Sequence, residues 1–349
     1  MARTTFLAGA KVSATSVCKA SLVNEPSILI VGAGLAGLAM ARALQARDIP
    51  FEIVEREPGG ATAGAGLFLP ANAVRALTAL GVKDIGHPVT RMRVLDHRGR
   101  RLVDMPFAEV WGDTAECRGV RRADLHAALG DGVPVRIGVA DTSGYDLIIA
   151  ADGIRSATRA GVRPSPVGLV AWRFLADGLP EGGWTAWQGR DRTFLAVSLG
   201  DGKAYCYADC VRAPHGDWRE LFAGFADPVP ALAAQGRHAH VASIEEVGPV
   251  FSDDPRTVLI GDAAHAFSPN MAQGAALAFE DALVLSELIE AGRVSDFGSR
   301  REARVAWVRD KTHQRDRTRH LPVPVRNLVL RVAGPRLIRA QFGLLRDRV

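Results

Sequence analysis

Three glycines at fixed spacing, Gly32, Gly34 and Gly37 in GAGLAG, lie between a short apolar run (28–31) and a helix-like run that reaches about Arg47. A second apolar run, 51–54, ends on Glu55, 18 residues after Gly37. Strand, glycine turn, helix, strand and terminal acid together form a dinucleotide-binding unit. Gly32 permits the tight turn, Gly34 lets backbone approach a pyrophosphate, and Gly37 lets helix pack on strand. The unpaired N–H groups of the helix start, at the positive end of its dipole, face the phosphates. Glu55 can then accept hydrogen bonds from ribose hydroxyls.

Two further stretches end a strand next to a carboxylate. YDLIIAADGIRSATR (145–159) runs through five apolar residues to Asp152-Gly153, with Arg155, Ser156 and Arg159 behind. VLIGDAAHAFSPNMAQGAALAFEDALVLSELI (258–289) ends its strand on Gly261-Asp262 and crosses a loop of small residues. From Ala275, apolar residues recur at helical spacing (Leu277, Ala278, Leu283, Val284, Leu285, Leu288). A carboxylate outside the carboxyl end of a sheet strand can hold sugar-like hydroxyls. A helix N-terminus after Gly274 can face developing negative charge. A turn alone does not require so many small residues, so a flat polar group is expected to approach the backbone there.

GAGLAG, AADGIRSATR and GDAAHAFSPNMAQGAALAFEDA together resemble the FAD-dependent aromatic hydroxylases of the para-hydroxybenzoate hydroxylase type, including salicylate- and urate-hydroxylase-like enzymes. GAGLFLPANAVRALTALGV (64–82) and RRADLHAAL (121–129) extend the likeness; LVAWR (169–173) and residues 185–208 match more loosely. The resemblance spans about 27–288 and is specific for the superfamily, not for substrate. It implies an α/β fold: a Rossmann-like FAD-binding domain, an interleaved β-sheet substrate domain and a C-terminal helical segment. By the same resemblance Asp262 holds the ribityl chain, and the loop from Pro269 to Gly274 lies along the isoalloxazine. The helix start at Gly274 and Ala275 then faces the pyrimidine edge. Asp152 is placed near the pyrophosphate and the nicotinamide route, Arg122 on the flavin nucleotide, and Arg56 beside Glu55. Arg173, after Trp172, stands where relatives present a polar residue to substrate, and His265 is a candidate proton relay, with packing or hydrogen bonding in its loop as the stronger alternative. Phe194, Phe251 and Phe267 are candidate cavity walls. The implied reaction is FAD reduction by NADPH or NADH, then dioxygen addition to give a C4a-hydroperoxide. Its distal oxygen would hydroxylate or epoxidise a small aromatic or polyketide-like molecule.

The sequence departs from the family at four places, one of them the segment 157–257, which is shorter than usual and is expected to reshape the substrate pocket. Ala272 replaces the first glycine of Gly-Gln-Gly, which is harmless only if its φ is negative. Ala276 stands where asparagine is common, and VADTSG replaces a hairpin before the 145–159 strand. Ala272, Ala276 and the shortened middle motivate one alternative, a flavin-poor accessory protein; a flavin oxidoreductase that does not insert oxygen is the other.

The elements that must position these residues divide the chain. Segments 27–87, 107–165 and 252–300 are expected to build the FAD-binding domain, and 88–106 with 166–251 the substrate sheet. Residues 89–106, around His97-Arg98-Gly99-Arg100, read as a hairpin. Residues 1–26 read as a disordered extension. A hydrophobic content of 48% and a charged content of 23% suit a globular chain with a sizeable core. Four scattered cysteines suggest no disulfide framework and a cytoplasmic setting. Residues 300–349 carry 14 Lys and Arg against 4 Asp and Glu, a net of +10 that leaves about −5 for the rest. No aromatic series accompanies that charge, so nucleic acid is not expected as a partner. Membrane contact is not expected either, because Pro322, Pro324 and Pro335 should break any long helix. The expected partners are a small substrate and dioxygen, and the expected assembly a monomer or homodimer.

Overall fold

The computed structural model describes residues 27–57, 65–112, 115–179 and 183–349; the expected extension at 1–26 lies outside them. Its first layer is a six-stranded sheet. The strands are β1 (Ile28–Val31), β2 (Glu52–Glu55), β8 (Val135–Ile137), β9 (Leu147–Ala150), β15 (Ser252–Asp254) and β16 (Thr257–Leu259), in the order β15-β16-β9-β1-β2-β8. All neighbours are parallel except β15 and β16. Parallel strands covered on both faces read as unbroken apolar runs, and Leu29 and Ile30 are fully buried. Helices α1 (Leu35–Gln45) and α7 (Gly274–Glu290) pack together beside it, and α1 is rich in alanine on its buried side. A Cβ at Gly37 would stand 1.9 Å from the Gly32 carbonyl oxygen, so this helix–strand contact admits only glycine.

The second layer is a seven-stranded, largely antiparallel sheet. It comprises β5 (Arg91–Asp96), β6 (Arg101–Pro106), β10 (Ser165–Asp177), β11 (Gly183–Gln188), β12 (Arg192–Gly200), β13 (Lys203–Cys210) and β14 (His240–Glu246). The β5–β6 hairpin closes around residues 97–100, where Asp96 Oδ1 accepts from the Arg98 and Arg100 N–H groups, each at 2.9 Å. Strand alternation sorts the side chains. Trp172, Phe174, Phe194 and Cys206 pack on one face with Phe222 and α5 (Val229–Ala234), while Ala171, Val197, Tyr205 and Tyr207 join the cluster on the other. A three-stranded sheet, β3 (Gly66–Leu69), β4 (His87–Pro88) and β7 (Arg118–Arg121), links the layers. Short helices α2 (Ala71–Ala79), α3 (Ala108–Trp111), α4 (Arg122–Gly130) and α6 (Asp262–His265) fill the connections.

The C-terminal segment corrects one expectation. After α8 (Phe297–Arg319) the chain forms α9 (Val323–Gln341), 19 residues long despite three prolines. Pro322 is its N-cap and Pro324 lies in the first turn, where a missing N–H costs nothing. Pro335 lies inside the helix, and packing holds that turn. Gly334 sits so close to β6 that a Cβ would be 2.5 Å from Val103 Cγ2, Arg339 pairs with Glu109 at 2.8 Å, and the Phe342 and Trp111 rings lie 5.1 Å apart.

Candidate functional site

The glycine turn has the conformation its spacing predicts. Gly32 takes φ +99°, and a Cβ there would be 2.6 Å from the Ala151 carbonyl oxygen. Gly34, the N-cap of α1, has an ordinary φ of −72°, and a Cβ there would meet nothing within 4 Å. Gly34 therefore faces a cradle that the protein leaves open. Glu55 accepts from the Ala33 N–H at 2.9 Å and the Glu57 N–H at 3.1 Å, so it pins the turn and borders a cleft of about 420 Å³. Arg56 is exposed and pairs with Glu57 at 3.4 Å, outside the residues that line this cleft. His126, which the sequence reading missed, lines it and sits 2.9 Å from the Ala33 carbonyl through Nε2. Its signal was present in RRADLHAAL: His126 follows Arg122 by four residues, on the same side of a helix.

Asp152 combines a turn role with an unused acceptor. Its Oδ2 accepts from the Ala157 and Thr158 N–H groups and the Thr158 hydroxyl, at 2.9 to 3.2 Å. Its Oδ1 is buried and has no hydrogen-bond partner among the described residues. Asp262 opens α6 behind Gly261, whose φ of +58° turns the chain. A Cβ at Gly274, the first residue of α7, would lie 3.8 Å from Asp262 Oδ1. Burial lowers the Arg122 guanidinium, against the opposing charge of Asp262. The open cradle at Gly34, the idle oxygen of Asp152 and the carboxylate at the head of α7 fit an extended dinucleotide with a polyol linker.

The loop between α6 and α7 is a built feature. Pro269–Met271 forms a 3₁₀ turn, and Ala272 follows at φ +52°, ψ +35°. The position thus requires the left-handed region, where a Cβ costs roughly 1–2 kcal/mol. We expect Ala272→Gly to leave the thermal midpoint unchanged or raise it by a few degrees, since strain relief offsets the added chain entropy. Ala275→Gly, in the first turn of α7, should lower it by about 2–4 °C, and scanning calorimetry on the pair checks the contrast. Ala276 is fully buried in the apolar core beside α1. The loop is clamped from both sides. Asn72 Nδ2 donates to Gln273 at 2.9 Å, Asn270 donates to Asp316 at 2.8 Å, and Arg315 donates to the Asn270 carbonyl at 2.5 Å. Burial pushes Arg315 down to about 10.

Arg173 stands on β10, within charge reach of Arg122, which also feels Asp262 at the start of α6. Its guanidinium carbon lies 5.6 Å from the Tyr207 ring centroid, and its side chain hydrogen-bonds to Tyr205. The Tyr207 hydroxyl donates to Asp209 at 3.1 Å, and Asp209 is gripped by Arg319 of α8 at 2.6 and 2.8 Å. Burial, reinforced by Asp209, holds the Tyr207 phenol well above its ordinary value, so it stays protonated. Arg122 and Arg173 are close enough for each to feel the other's charge and that of Tyr205. Gly66 of β3 lies against Tyr205, where a Cβ would be 2.8 Å away. The tyrosines and Arg319 were not singled out in the sequence; only their tertiary neighbours give them meaning.

Two expectations are corrected. His265 is 1% exposed and its Nε2 lies 2.7 Å from Asp281, so it is a buried hydrogen-bond partner of that side chain rather than a group open to substrate. Phe194 faces the far side of the seven-stranded sheet and lines no cavity near Arg173. Phe267 stacks on His265, and Phe251 packs on Phe297.

A parallel sheet with a glycine-turn nucleotide site, beside a second, largely antiparallel sheet that carries Arg173, is the arrangement expected of a flavin-dependent aromatic hydroxylase. No protein-family model matches the chain. It is 30% identical over 308 residues to the aurachin C monooxygenase/isomerase of Stigmatella aurantiaca, covering 75% of this chain and 80% of that protein. It is 29% identical over 339 residues to the 2-heptyl-3-hydroxy-4(1H)-quinolone synthase of Pseudomonas aeruginosa, covering 82% and 87%. The crystal structure of Klebsiella pneumoniae HpxO complexed with FAD and uric acid superposes with a TM-score of 0.81 at 25% identity, covering 92% of this chain and 97% of that one. The chain belongs to the FAD-dependent monooxygenase family.

Proposed function

We propose that this enzyme uses NADPH or NADH and dioxygen to hydroxylate or epoxidise a small, electron-rich, nitrogen-containing bicyclic ring. The ring would be held between Arg173 and the 269–274 loop. The observation that carries this reading is the Arg173 guanidinium set over the Tyr207 ring and beside Tyr205, with Arg122 within reach of the charges of both Arg173 and Asp262. A quinolone and uric acid, in the names of the relatives above, are both bicyclic rings bearing oxygens that enolise or ionise. A planar cation such as Arg173 fixes an oxygen of that kind and favours its anionic form, which enriches the ring in electrons.

FAD, when bound, would carry the two electrons of NADPH or NADH to dioxygen and activate it. The chain's own residues do the rest. The N–H groups at the start of α1 take the pyrophosphate, and Asp262 takes the ribityl hydroxyls. The N-terminus of α7 stabilises negative charge on the ring. The 269–274 loop and the sheet face exclude water. Tyr207, Asp209 and Arg319 hold Arg173 in place, so it needs little reorganisation when substrate arrives.

One FAD per chain in the released cofactor, with NAD(P)H oxidation that places isotopically labelled dioxygen in a quinolone or urate product, would support the reading. NAD(P)H oxidation with a reduced, unlabelled product would instead assign oxidoreduction without oxygen insertion. Arg173→Met is expected to keep full FAD content while raising the substrate KM roughly 10–100-fold, the loss of one charge-assisted hydrogen bond. An unchanged KM in steady-state assays would remove Arg173 from the substrate side.

A further inference from the structure

The outward face of α9 takes no part in the site described above. With 3.6 residues per turn, Val325, Leu328, Val329 and Val332 fall within one arc of about 100°. All four are exposed, Leu328 by 63% and Val332 by 75%, and Leu321 just ahead of the helix is exposed as well. The opposite face carries Gly334, packed against Val103 of β6, and buried Ile338. The helix is thus held in place while a second apolar face points outward, an arrangement that marks an interaction surface.

The surrounding charge has one sign. Between Asp316 and Asp347 the sequence holds no acidic residue and seven arginines: 317, 319, 326, 331, 336, 339 and 346. Arg317, Arg331, Arg336 and Arg346 are exposed. The prolines that argued against a long helix here do not interrupt it.

We propose that this face of α9 seats on an anionic lipid surface. The four apolar side chains would enter the acyl boundary, and the flanking arginines would meet headgroup phosphates. Among the described residues no helix is long and apolar enough to cross a membrane, so the contact is peripheral. Charge decides against a second copy of the same face, because a two-fold contact would set Arg331 and Arg336 against their own counterparts. Nucleic acid would leave the apolar quartet in water. None of the exposed large apolar residues described here is aromatic, so no stacking platform accompanies the charge.

The test is co-sedimentation of the full-length protein with vesicles of phosphatidylcholine alone and of equal parts phosphatidylcholine and phosphatidylglycerol. Binding to the anionic vesicles only, weakened by salt, is expected. Arg331→Glu with Arg336→Glu should weaken it roughly 30-fold or more, given the attraction of each basic residue to an anionic leaflet. Leu328→Asp with Val332→Asp should weaken it as well, at unchanged FAD content and thermal midpoint. Arg98→Glu with Arg100→Glu, an equal charge change on the exposed β5–β6 turn, should leave it intact. Failure to bind anionic vesicles overturns the proposal, and so does equal loss in the turn variant, which would make the attraction a net-charge effect. Concentration-dependent dimers dispersed by Leu328→Asp would assign the face to a second copy. Binding to duplex DNA that survives the two aspartates would assign it to nucleic acid, and vesicle binding only after residues 1–26 are removed would assign it to that segment.

Discussion

Gly34→Val should yield a folded protein that no longer holds FAD. A Cβ at Gly34 meets no protein atom within 4 Å, and its φ of −72° suits any residue, so the apo protein should keep its thermal midpoint. The branched side chain would instead fill the space where backbone must approach the pyrophosphate. Losing two phosphate contacts at about 1.5–3 kcal/mol each implies a weakening of FAD binding by roughly 100-fold or more. Gly37→Ala should behave differently. Its Cβ would land 1.9 Å from the Gly32 oxygen, so α1 must move off β1 and the fold itself should suffer. Fluorescence titration with FAD and apo-state melting separate the two. A Gly34→Val protein that binds FAD as the parent does would displace the nucleotide from this cradle.

The second large effect concerns the buried charges behind the same turn. Asp281 accepts from the Gly261 N–H at 2.9 Å, from His265 at 2.7 Å and from Arg301 at 2.7 Å. Arg301 and Arg304 both reach Glu280, at 3.2 and 2.7 Å, in a region sealed from solvent. Asp281→Asn leaves Arg301 without its matching charge and weakens the anchor of the Gly261-Asp262 turn. Breaking one partner of a buried pair costs about 3–5 kcal/mol, so the midpoint should fall by roughly 5–15 °C. Burial alone would raise the Asp281 carboxyl, yet His265 and Arg301 hold it at about 2, below its ordinary 3.8. A depressed carboxyl contributes stability above the unfolded value and loses it as pH falls through the folded one. The parent should therefore shed roughly 2 kcal/mol between about pH 4 and pH 2 that the asparagine variant lacks. Urea melts at pH 6 and pH 3 test this; parallel losses in both proteins would show that another group governs the acid limb.

Residues 27–57, 145–159 and 258–289 were legible in the sequence because their geometry is local. A glycine at φ +99°, a strand end and a helix start are fixed by a few neighbouring dihedrals, and those leave a signature in spacing. The same locality made Ala272 readable as a question that its φ of +52° then answered. Side-chain partnerships across the chain left no such signature. Asp209 and Arg319 are 110 residues apart, Asn72 and Gln273 are 201 apart, and only the stacking of sheets and C-terminal helices brings them within hydrogen-bond reach.

The role of His265 was lost for the same reason. Its type and loop position suggested proton chemistry, but whether an imidazole meets substrate or a buried aspartate depends on which side of the chain α7 and α8 close over. The prolines of α9 make the point from the other direction. Pro322 and Pro324 fall at the helix start, where proline is tolerated, and the preference of Pro335 against helix was overridden by contacts with Val103, Glu109 and Trp111 that no window of sequence contains. Sequence by itself determined the nucleotide turn, through short-range backbone geometry, and pointed to the class of cofactor and the family through the resemblance that its motifs carry. Tertiary structure alone decided which charges meet across the sheets, which are buried as pairs and which helix face is left to solvent, because these depend on distances between elements far apart in the chain.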